Sequence, residues 1–365
     1  MRIVLFCENK YAIDILNPLQ EYVTAARLPH EVLWYIHAKK IDTFAYADSV
    51  RWTNSIQEVY DFGPEAIFVP GNIVPYYLPG VKIQVFHGYA AEKKDHWIIR
   101  RYFDTYFTQG PYFTAHFKAL ARRYGDFEVV ETGWPKQDWI KQNLHRYDDE
   151  RRALLARTGK KTVILYAPTF SPKLTSLPLP GMKEQLKRLA EERDAVVLMK
   201  FHPLTRSEWA DEYKAWAEGQ DDIVFVDKGE NVTKYQLMSD VLISDTSSTV
   251  YEFLLLSRPV ITIGTIAKAI YWEDIASPGA LLDAYDRALG DPEAIARRQW
   301  VVDNYDPYLD GRVCERMLNA AADYISRHGV PRKRKLNLWR KYTSIKTFGK
   351  VKNNSCFACH RHAKQ

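Results

Sequence analysis

A dense group of small polar residues follows an apolar run at positions 241–244. Asp245, Thr246, Ser247 and Ser248 stand where a predicted strand ends and a predicted helix begins. Backbone N–H groups and hydroxyls at such a junction can bind an anion, and a diphosphate would suit the site. Ser, Thr and Asp are also preferred as helix caps, which is the alternative interpretation. Because one cap needs only one such residue, the size of the group favours a phosphate site.

Two histidines stand at the ends of other apolar runs. His202 precedes Pro203, which stops a strand, so the imidazole could donate to a phosphate oxygen or act as an acid toward a leaving phosphate. His87 precedes Gly88, which permits a tight turn that exposes the ring. Neutral imidazole suits general-base work on a hydroxyl, so we predict that His202 holds a donor while His87 deprotonates an acceptor. A histidine satisfied within its own loop is the alternative for each.

Other polar residues adjoin these strand ends. Lys93 and Lys94 could draw in an anionic substrate, although a solvated charge pair is the commoner explanation. Thr169, in segment 166–170, is expected at the cleft, and segment 132–138 could shape the wall between two domains. No Asp-rich metal cluster is visible, so we predict no tightly bound cofactor, with any Mg²⁺ carried on the diphosphate of the donor.

Short β-rich runs alternate with helical patterns, which predicts βαβ units and parallel sheets. The runs form two series, at 3–7, 31–36, 66–70, 82–86 and 105–108, and at 162–166, 195–200, 222–226, 241–244 and 259–263. A charged helical stretch at 137–158 separates them. We therefore predict an α/β fold of two Rossmann-like domains facing a cleft, residues 1–150 and 151–327, with a basic tail at 328–365. A helix at 312–328 is expected to pack back across the first domain.

Five segments together resemble the CDP-glycerol glycerophosphotransferase family, whose members build teichoic-acid-type polymers. The family's Trp-His-Gly-Thr-Pro corresponds to 86–90, its Thr-Gly-x-Pro-Arg-x-Asp to 132–138, its Tyr-Ala-Pro-Thr-Trp to 166–170, its Lys-x-His-Pro to 200–203 and its Thr-Asp-Tyr-Ser-Ser to 244–248. Order and spacing agree over about residues 82–330, and Lys93 and Lys94 follow as in the family. One departure is that Tyr89 and Ala90 replace the family's Thr-Pro.

The resemblance implies a GT-B-like fold with the acceptor in the first domain and the nucleotide donor in the second. It implies that His87 acts as base, while His202, Ser247 and Ser248 hold the phosphates of a CDP-polyol. The acceptor hydroxyl would attack the β-phosphorus and expel CMP. Glycerol phosphate is the expected group, and a cell-surface glycan or lipid-linked polymer the expected acceptor. A GT-B glycosyltransferase using a nucleotide sugar and a non-catalytic nucleotide-binding scaffold remain alternatives.

The net charge of +6 conceals an asymmetry. Twelve of the 51 Lys and Arg residues follow Asp323 and none of the 45 acidic residues does, so residues 1–323 carry −6 and residues 324–365 carry +12. The tail, with Leu and aromatic residues among its cations, would anchor to an anionic membrane surface or else remain a disordered, solubilising segment. An acidic body without a nucleic-acid motif argues against nucleic acid as a partner. No secretory signal or apolar run of roughly 20 residues is visible, so we predict a cytoplasmic protein, peripheral at the inner face of the membrane.

The last cysteines form a short motif of their own. Cys356, Cys359 and His360 match the pattern for covalent haem attachment, but no surrounding domain could enclose a haem. A weak zinc site that includes His362 and a pair of free thiols are the competing interpretations, and the sequence does not decide between them.

Overall fold

A computed structural model describes residues 1–89, 91, 94–177, 179–331 and 337–352. Two sheets dominate it, and every strand pairing within them is parallel. Parallel sheets carry helices on both faces, so their strands are apolar along most of their length. The buried strand RIVLFC at the start of the chain is an example.

The first sheet has seven strands in the order β3-β2-β1-β4-β5-β6-β7. They are β1 Arg2–Cys7, β2 Glu31–Ile36, β3 Trp52–Thr53, β4 Ala66–Val69, β5 Val81–Gln84, β6 Thr105–Thr108 and β7 Glu128–Glu131. The order reverses between β1 and β4, the point where open α/β sheets bind ligands at the carboxyl ends of their strands.

The second sheet has six strands in the order β10-β9-β8-β11-β12-β13. They are β8 Thr162–Tyr166, β9 Ala195–Lys200, β10 Ile223–Val226, β11 Val241–Ser244, β12 Val260–Ile263 and β13 Glu273–Ile275. This sheet reverses between β8 and β11, so the predicted pair of Rossmann-like domains is confirmed. The sequence prediction lacked β3, β7 and β13, which are short and lie at sheet edges.

The helices cover both sheets and connect them. They are α1 Tyr11–Ala25, α2 Ile56–Phe62, α3 Pro111–Tyr124, α4 Lys136–Asn143, α5 Asp148–Thr158, α6 Met182–Glu192, α7 Ser207–Ala217, α8 Val232–Met238, α9 Thr249–Leu254, α10 Leu281–Gly290, α11 Pro292–Tyr305, α12 Val313–His328 and α13 Leu338–Phe348. The proposed boundary at residue 150 lies inside α5, where Arg151 forms an ion pair with Asp240 beside the second sheet. The division at residue 150 stays a prediction.

The chain returns to the first domain after the second sheet. Helix α11 packs on α3, and α12 packs on α1, α4 and β5, as predicted for the helix at 312–328. Asp138 of α4 accepts hydrogen bonds from the backbone N–H groups of Val313 (3.0 Å) and Cys314 (2.7 Å). A buried carboxylate at the start of a helix satisfies amides that have no partner within it, so Asp138 fixes where α12 begins.

The face of α11 carries an aromatic stack between the domains. The Tyr305 ring is parallel to that of Tyr112 on α3, with centroids 4.9 Å apart, and to that of Tyr251 on α9, with centroids 5.2 Å apart. The three rings therefore join helices that cover different sheets.

Part of the basic tail is folded against the first domain. The buried Phe348 ring of α13 packs edge-on against Phe6 and Tyr35, and Tyr77 donates a hydrogen bond of 2.7 Å to the carbonyl of Gly349. The alternative of a wholly disordered tail is therefore wrong for residues 337–352. Cys356 and Cys359 lie outside the described residues. Within the described ranges, no helix combines the length and apolar character needed to cross a membrane.

Candidate active site

The carboxyl ends of the two sheets face each other across a cleft. Gly88 follows β5 and Ser248 follows β11, and a Cβ atom placed on Gly88 would lie 4.0 Å from the Cβ of Ser248. His202 follows β9 and Thr169 follows β8, and β8 lies between β9 and β11 in the sheet. The fold therefore places the predicted residues of the second domain at one sheet edge, opposite the loop that carries His87.

The imidazole of His87 is held in one tautomer by a backbone carbonyl. Its Nδ1 lies 3.2 Å from the carbonyl oxygen of Pro70, which follows the neighbouring strand β4. A carbonyl only accepts hydrogen bonds, so Nδ1 must carry the hydrogen, and in the neutral ring Nε2 keeps its lone pair. The side chain is exposed at the cleft. His87 is thus prepared to accept a proton on Nε2.

The imidazole of His202 is held in the opposite tautomer. Its Nδ1 accepts a hydrogen bond of 3.1 Å from the backbone N–H of Leu204, so the neutral ring carries its hydrogen on Nε2. Burial, reinforced by the nearby charge of Lys200, lowers the pKa of His202 and favours that neutral form. The Phe170 ring packs on the imidazole with centroids 4.4 Å apart. His202 is thus prepared to donate a hydrogen bond.

The buried carboxylate of Asp245 holds two segments that follow β8. One carboxylate oxygen accepts from the backbone N–H of Thr169 at 2.9 Å, and the other accepts from the N–H and hydroxyl of Ser176 at 2.9 and 3.2 Å. Burial raises the pKa of Asp245 and these hydrogen bonds lower it. The side chain is fully buried, so the predicted phosphate ligand is placed as a support for the loop that presents Thr169.

The hydroxyls that follow Asp245 differ in their surroundings. Thr246 is buried, and its Oγ1 accepts from the backbone N–H of Ile266 at 3.2 Å. Ser247 donates to the hydroxyl of Thr249 at 3.0 Å and accepts from its backbone N–H, the first amide of α9, at 3.3 Å. Ser247 and Ser248 are half-buried, with Ser248 opposite Gly88. Both interpretations offered for this segment, capping and phosphate binding, are therefore compatible with the geometry.

Lys94 begins a short 3₁₀ helix, Lys94–Trp97, and is exposed. Lys93 lies outside the described residues. The structure therefore leaves the predicted role of the two lysines in attracting an anionic substrate as a prediction.

Sequence reasoning missed Tyr11, the first residue of α1. Its ring centroid lies 5.3 Å from that of His87, and 44% of the residue is exposed. The neighbouring positions of β1, β4 and β5 bring these residues together, because parallel strands end at the same edge. The strand order would have been needed to find Tyr11, and adjacent runs in the sequence do not reveal that order.

Segment 132–138 contributes one direct contact between the domains. Lys136 pairs with Glu252 of α9, with a distance of 2.7 Å between Nζ and Oε2. Beside this pair is a cavity of about 130 Å³ that is also lined by Asp14 of α1 and Asn231 of the second domain. The segment therefore joins the two domains at one side of the cleft.

Comparison with known proteins decides the family. Residues 79–266, more than half of the chain, match the family described as CDP-glycerol:poly(glycerophosphate) glycerophosphotransferase. The chain belongs to this family. The matched part of this glycerophosphotransferase-family member includes all five of the family-like segments, which run from residue 86 to residue 248.

The names of the relatives of this glycerophosphotransferase-family chain refer to two different polyols. The teichoic acid ribitol-phosphate polymerase TarL of Staphylococcus aureus is 30% identical over 52% of the chain and 36% of its own length. The teichoic acid glycerol-phosphate primase of Bacillus subtilis is 26% identical over 52% of the chain and 40% of its own length. The chain thus spans well under two thirds of the length of these relatives.

Solved structures agree on the fold of this family member. The wall teichoic acid polymerase TagF matches with a TM-score of 0.64 and 20% identity, covering 90% of the chain and 89% of the TagF chain. A TagF variant soaked with CDPG matches with a TM-score of 0.60 and 18% identity, over 89% and 88% of the two chains. At this level of identity the likeness establishes the shared GT-B-like architecture.

Proposed function

We propose that the chain transfers a polyol phosphate, glycerol phosphate first among them, from a CDP-activated donor to an acceptor hydroxyl, releasing CMP. The observation that carries the proposal is the pair of opposite histidine tautomers at the cleft. His87 has a lone pair on its Nε2, whereas His202 carries a hydrogen on its own Nε2. Family membership and the CDPG-soaked TagF structure support the donor class.

The proposed reaction divides the work between the two sheets. The acceptor hydroxyl loses its proton to Nε2 of His87, and its oxygen forms a bond to the β-phosphorus of the donor. The bond between that phosphorus and the oxygen bridging to CMP breaks, and CMP leaves with the electron pair. His202 donates to a phosphate oxygen, while Ser247, Ser248 and neighbouring amides hold the diphosphate. Positioning and charge stabilisation supply most of the rate in such transfers.

We propose that any Mg²⁺ enters with the donor diphosphate. In the part of the chain that the structure describes, no group of three or more His, Cys, Asp or Glu could hold a metal ion. The carboxylate of Asp245 is engaged by Thr169 and Ser176. The ion would neutralise diphosphate charge from the ligand side, which needs no dedicated protein cage.

The first experiment measures CMP release from CDP-glycerol, with CDP-ribitol and a panel of UDP-sugars alongside and with lipid-linked and glycan acceptors supplied. Release from a CDP-polyol by the wild type, reduced about a thousandfold or more in His87→Ala, is the expected result for loss of the base. His145→Ala serves as the control because His145 is largely exposed near the start of α5.

The outcomes separate the competing functions. Turnover of a UDP-sugar alone would establish the glycosyltransferase alternative, and nucleotide binding without turnover of any donor would establish the scaffold. The relative rates with CDP-glycerol and CDP-ribitol decide the polyol, since relatives of both kinds match the chain. Full activity in His87→Ala would remove His87 from the mechanism.

We further propose that α13 binds the anionic inner face of the cell membrane, where a lipid-linked acceptor would be presented, and that the protein is cytoplasmic and peripheral. Leu338, Trp339 and Tyr342 are 73%, 74% and 57% exposed. Lys341 and Lys346 are exposed on the same helix. Apolar insertion and about 1 kcal/mol for each cation near such a surface would add together.

Vesicle sedimentation tests this surface. The wild type should bind phosphatidylglycerol vesicles more strongly than phosphatidylcholine vesicles, and the double variant Trp339→Ala/Tyr342→Ala should bind about tenfold less. Trp52→Ala is the control because Trp52 is also an exposed aromatic residue, 39% exposed, but lies on the edge strand β3 and not on α13. Equal loss in the two variants, or no preference for anionic lipid, would contradict the proposal.

A further inference from the structure

The loop that carries His87 has an unusual backbone. Phe86 has a φ of 59°, in the left-handed region that bulky residues rarely occupy, and Gly88 has a φ of 152°. Such conformations persist only where surrounding contacts determine them. The position of His87 therefore depends on what holds its two neighbours and Tyr89.

Trp134 and Tyr89 hold the two sides of this loop. The indole N–H of Trp134 donates to the carbonyl of Phe86 at 3.3 Å, and the Tyr89 hydroxyl donates to Oδ2 of Asp306 at 2.7 Å. The backbone N–H of Trp134 donates to the same Oδ2 at 3.0 Å. A single carboxylate oxygen therefore connects both contacts that flank His87.

Asp306 belongs to neither Rossmann core. It lies directly after α11, where the chain returns from the second domain to the first. The residue is 2% exposed, and its Oδ1 accepts from the backbone N–H of Tyr308 at 3.2 Å. Burial raises the pKa of Asp306 to about 7, although its hydrogen bonds act to lower it. Keeping this carboxylate buried therefore costs folding free energy.

We propose that Asp306, through Tyr89 and Trp134, is a positioning residue that holds His87 in register with the acceptor hydroxyl. The inference rests on the proposed function, because it assigns His87 the task of accepting a proton. Tyr89 stands where the family has Thr, and in this chain its phenol hydroxyl is the group that donates to Asp306. The return crossover thereby becomes part of the machinery that presents the base.

Tyr89→Phe removes the contact with Asp306, together with the 3.0 Å hydrogen bond that the same hydroxyl accepts from Nε2 of Gln137. It keeps the ring that packs against Trp134, with centroids 5.1 Å apart, and removes only the hydroxyl. Tyr308→Phe is the matched control, since Tyr308 lies on the same crossover and its hydroxyl also donates to a carboxylate, Oε1 of Glu131 at 2.6 Å. That second contact points to β7 and away from the loop of His87.

The expected result is a fall in kcat of about tenfold in Tyr89→Phe, with the KM for the CDP-polyol changed less than about twofold. Tyr308→Phe should lose comparable stability and keep kcat within about twofold. Asp306→Asn should lower kcat similarly, and the double variant Tyr89→Phe/Asp306→Asn should be no slower than Asp306→Asn. Equal kcat values for the two Phe variants would overturn the positioning role.

A second readout is independent of turnover. Long-range ¹H–¹⁵N spectra report which ring nitrogen carries the hydrogen, and the His87 signals are identified by their loss in His87→Gln. We expect the Nδ1–H tautomer in the wild type and in Tyr308→Phe, and a mixture of tautomers in Tyr89→Phe. An unchanged tautomer in Tyr89→Phe would overturn the proposal. If the wild type released no CMP, the proposed function would fail while this spectrum still decided the contact.

Discussion

The ion pair between Lys136 and Glu252 connects the two domains, and its removal should show how strongly it does so. The two side chains are only 13% and 14% exposed, and their charged atoms lie 2.7 Å apart. With an effective dielectric constant of about 20, the gross attraction at this distance is about 6 kcal/mol. Most of it offsets the cost of removing both charges from water.

Single and double variants should therefore differ sharply. Lys136→Met leaves a carboxylate without its cation and should lower the free energy of unfolding by about 3 kcal/mol. Glu252→Gln keeps an oxygen that accepts from Lys136, so we expect a loss of about 2 kcal/mol. The double variant buries no charge from this pair and should lose only about 2 to 3 kcal/mol, well below the sum of the single losses.

Urea unfolding of the four proteins measures this cycle. A coupling free energy of about 2 kcal/mol between the two sites is expected, with equal m-values for all four. Additive losses, agreeing within about 0.5 kcal/mol, would refute the reasoning, because the two charges would then stabilise the protein independently. Lys161→Met provides a control, since Lys161 pairs with Asp194 while its own side chain is 86% exposed.

The same pair predicts a pH dependence through Asp14. Burial raises the pKa of Asp14, Lys136 lowers it, and Glu252 raises it. Lys136→Met removes the lowering influence, so the native state of the variant holds the Asp14 proton more tightly. A native pKa above the unfolded value makes stability increase as pH falls. The deficit of Lys136→Met should thus be smaller at pH 5 than at pH 8, and an equal deficit would exclude Asp14.

The crossover supplies three further predictions. Asp138→Ala removes the acceptor for two amides at the start of α12, including Val313, and urea titration should show a loss of about 3 kcal/mol. Gly133→Ala should lower the free energy of unfolding by about 3 kcal/mol in the same assay, because its Cβ would lie 2.8 Å from Cγ2 of Val313. Gly159→Ala is the control. Gly159 also has a positive φ but faces open space, so this variant should lose only about 1 kcal/mol. The native pKa of Asp306, about 7, lies above its unfolded value, so the native state binds the proton more tightly. The free energy of unfolding of the wild type should therefore fall by on the order of 4 kcal/mol as pH rises from about 4 to 7. Urea titrations of Asp306→Asn across this range should lack this decrease.

The sequence was informative where strands end in chemically distinct residues. Apolar runs followed by His87 and His202 predicted the sheet edges, because strand composition is a local property. The division of roles between the two histidines stays a prediction. The opposite tautomers could not be predicted. They depend on the carbonyl of Pro70, which follows the neighbouring strand β4, and on an amide within the His202 loop.

Other features depended on contacts distant in sequence. Asp306 forms its hydrogen bond with Tyr89 across 217 positions, so no local pattern announces it. The edge strand β3 has two residues and gives too little periodicity to recognise. Helix α13 was not predicted because it lies in a strongly basic segment. Its folded position depends on the contact of Phe348 with an aromatic cluster beside Phe6, which is distant in sequence.

The stacked rings of Tyr112, Tyr305 and Tyr251 have a mechanical consequence. Their planes are within 12° and 9° of parallel, so rings can glide over one another while keeping most of their contact, whereas lifting them apart loses it. The stack therefore favours a sliding motion of the two domains over a hinge-like opening at this side of the cleft. We expect any closure on the donor to displace the ring centroids sideways with the planes still parallel, and rings tilted apart in a donor-bound crystal structure would contradict this.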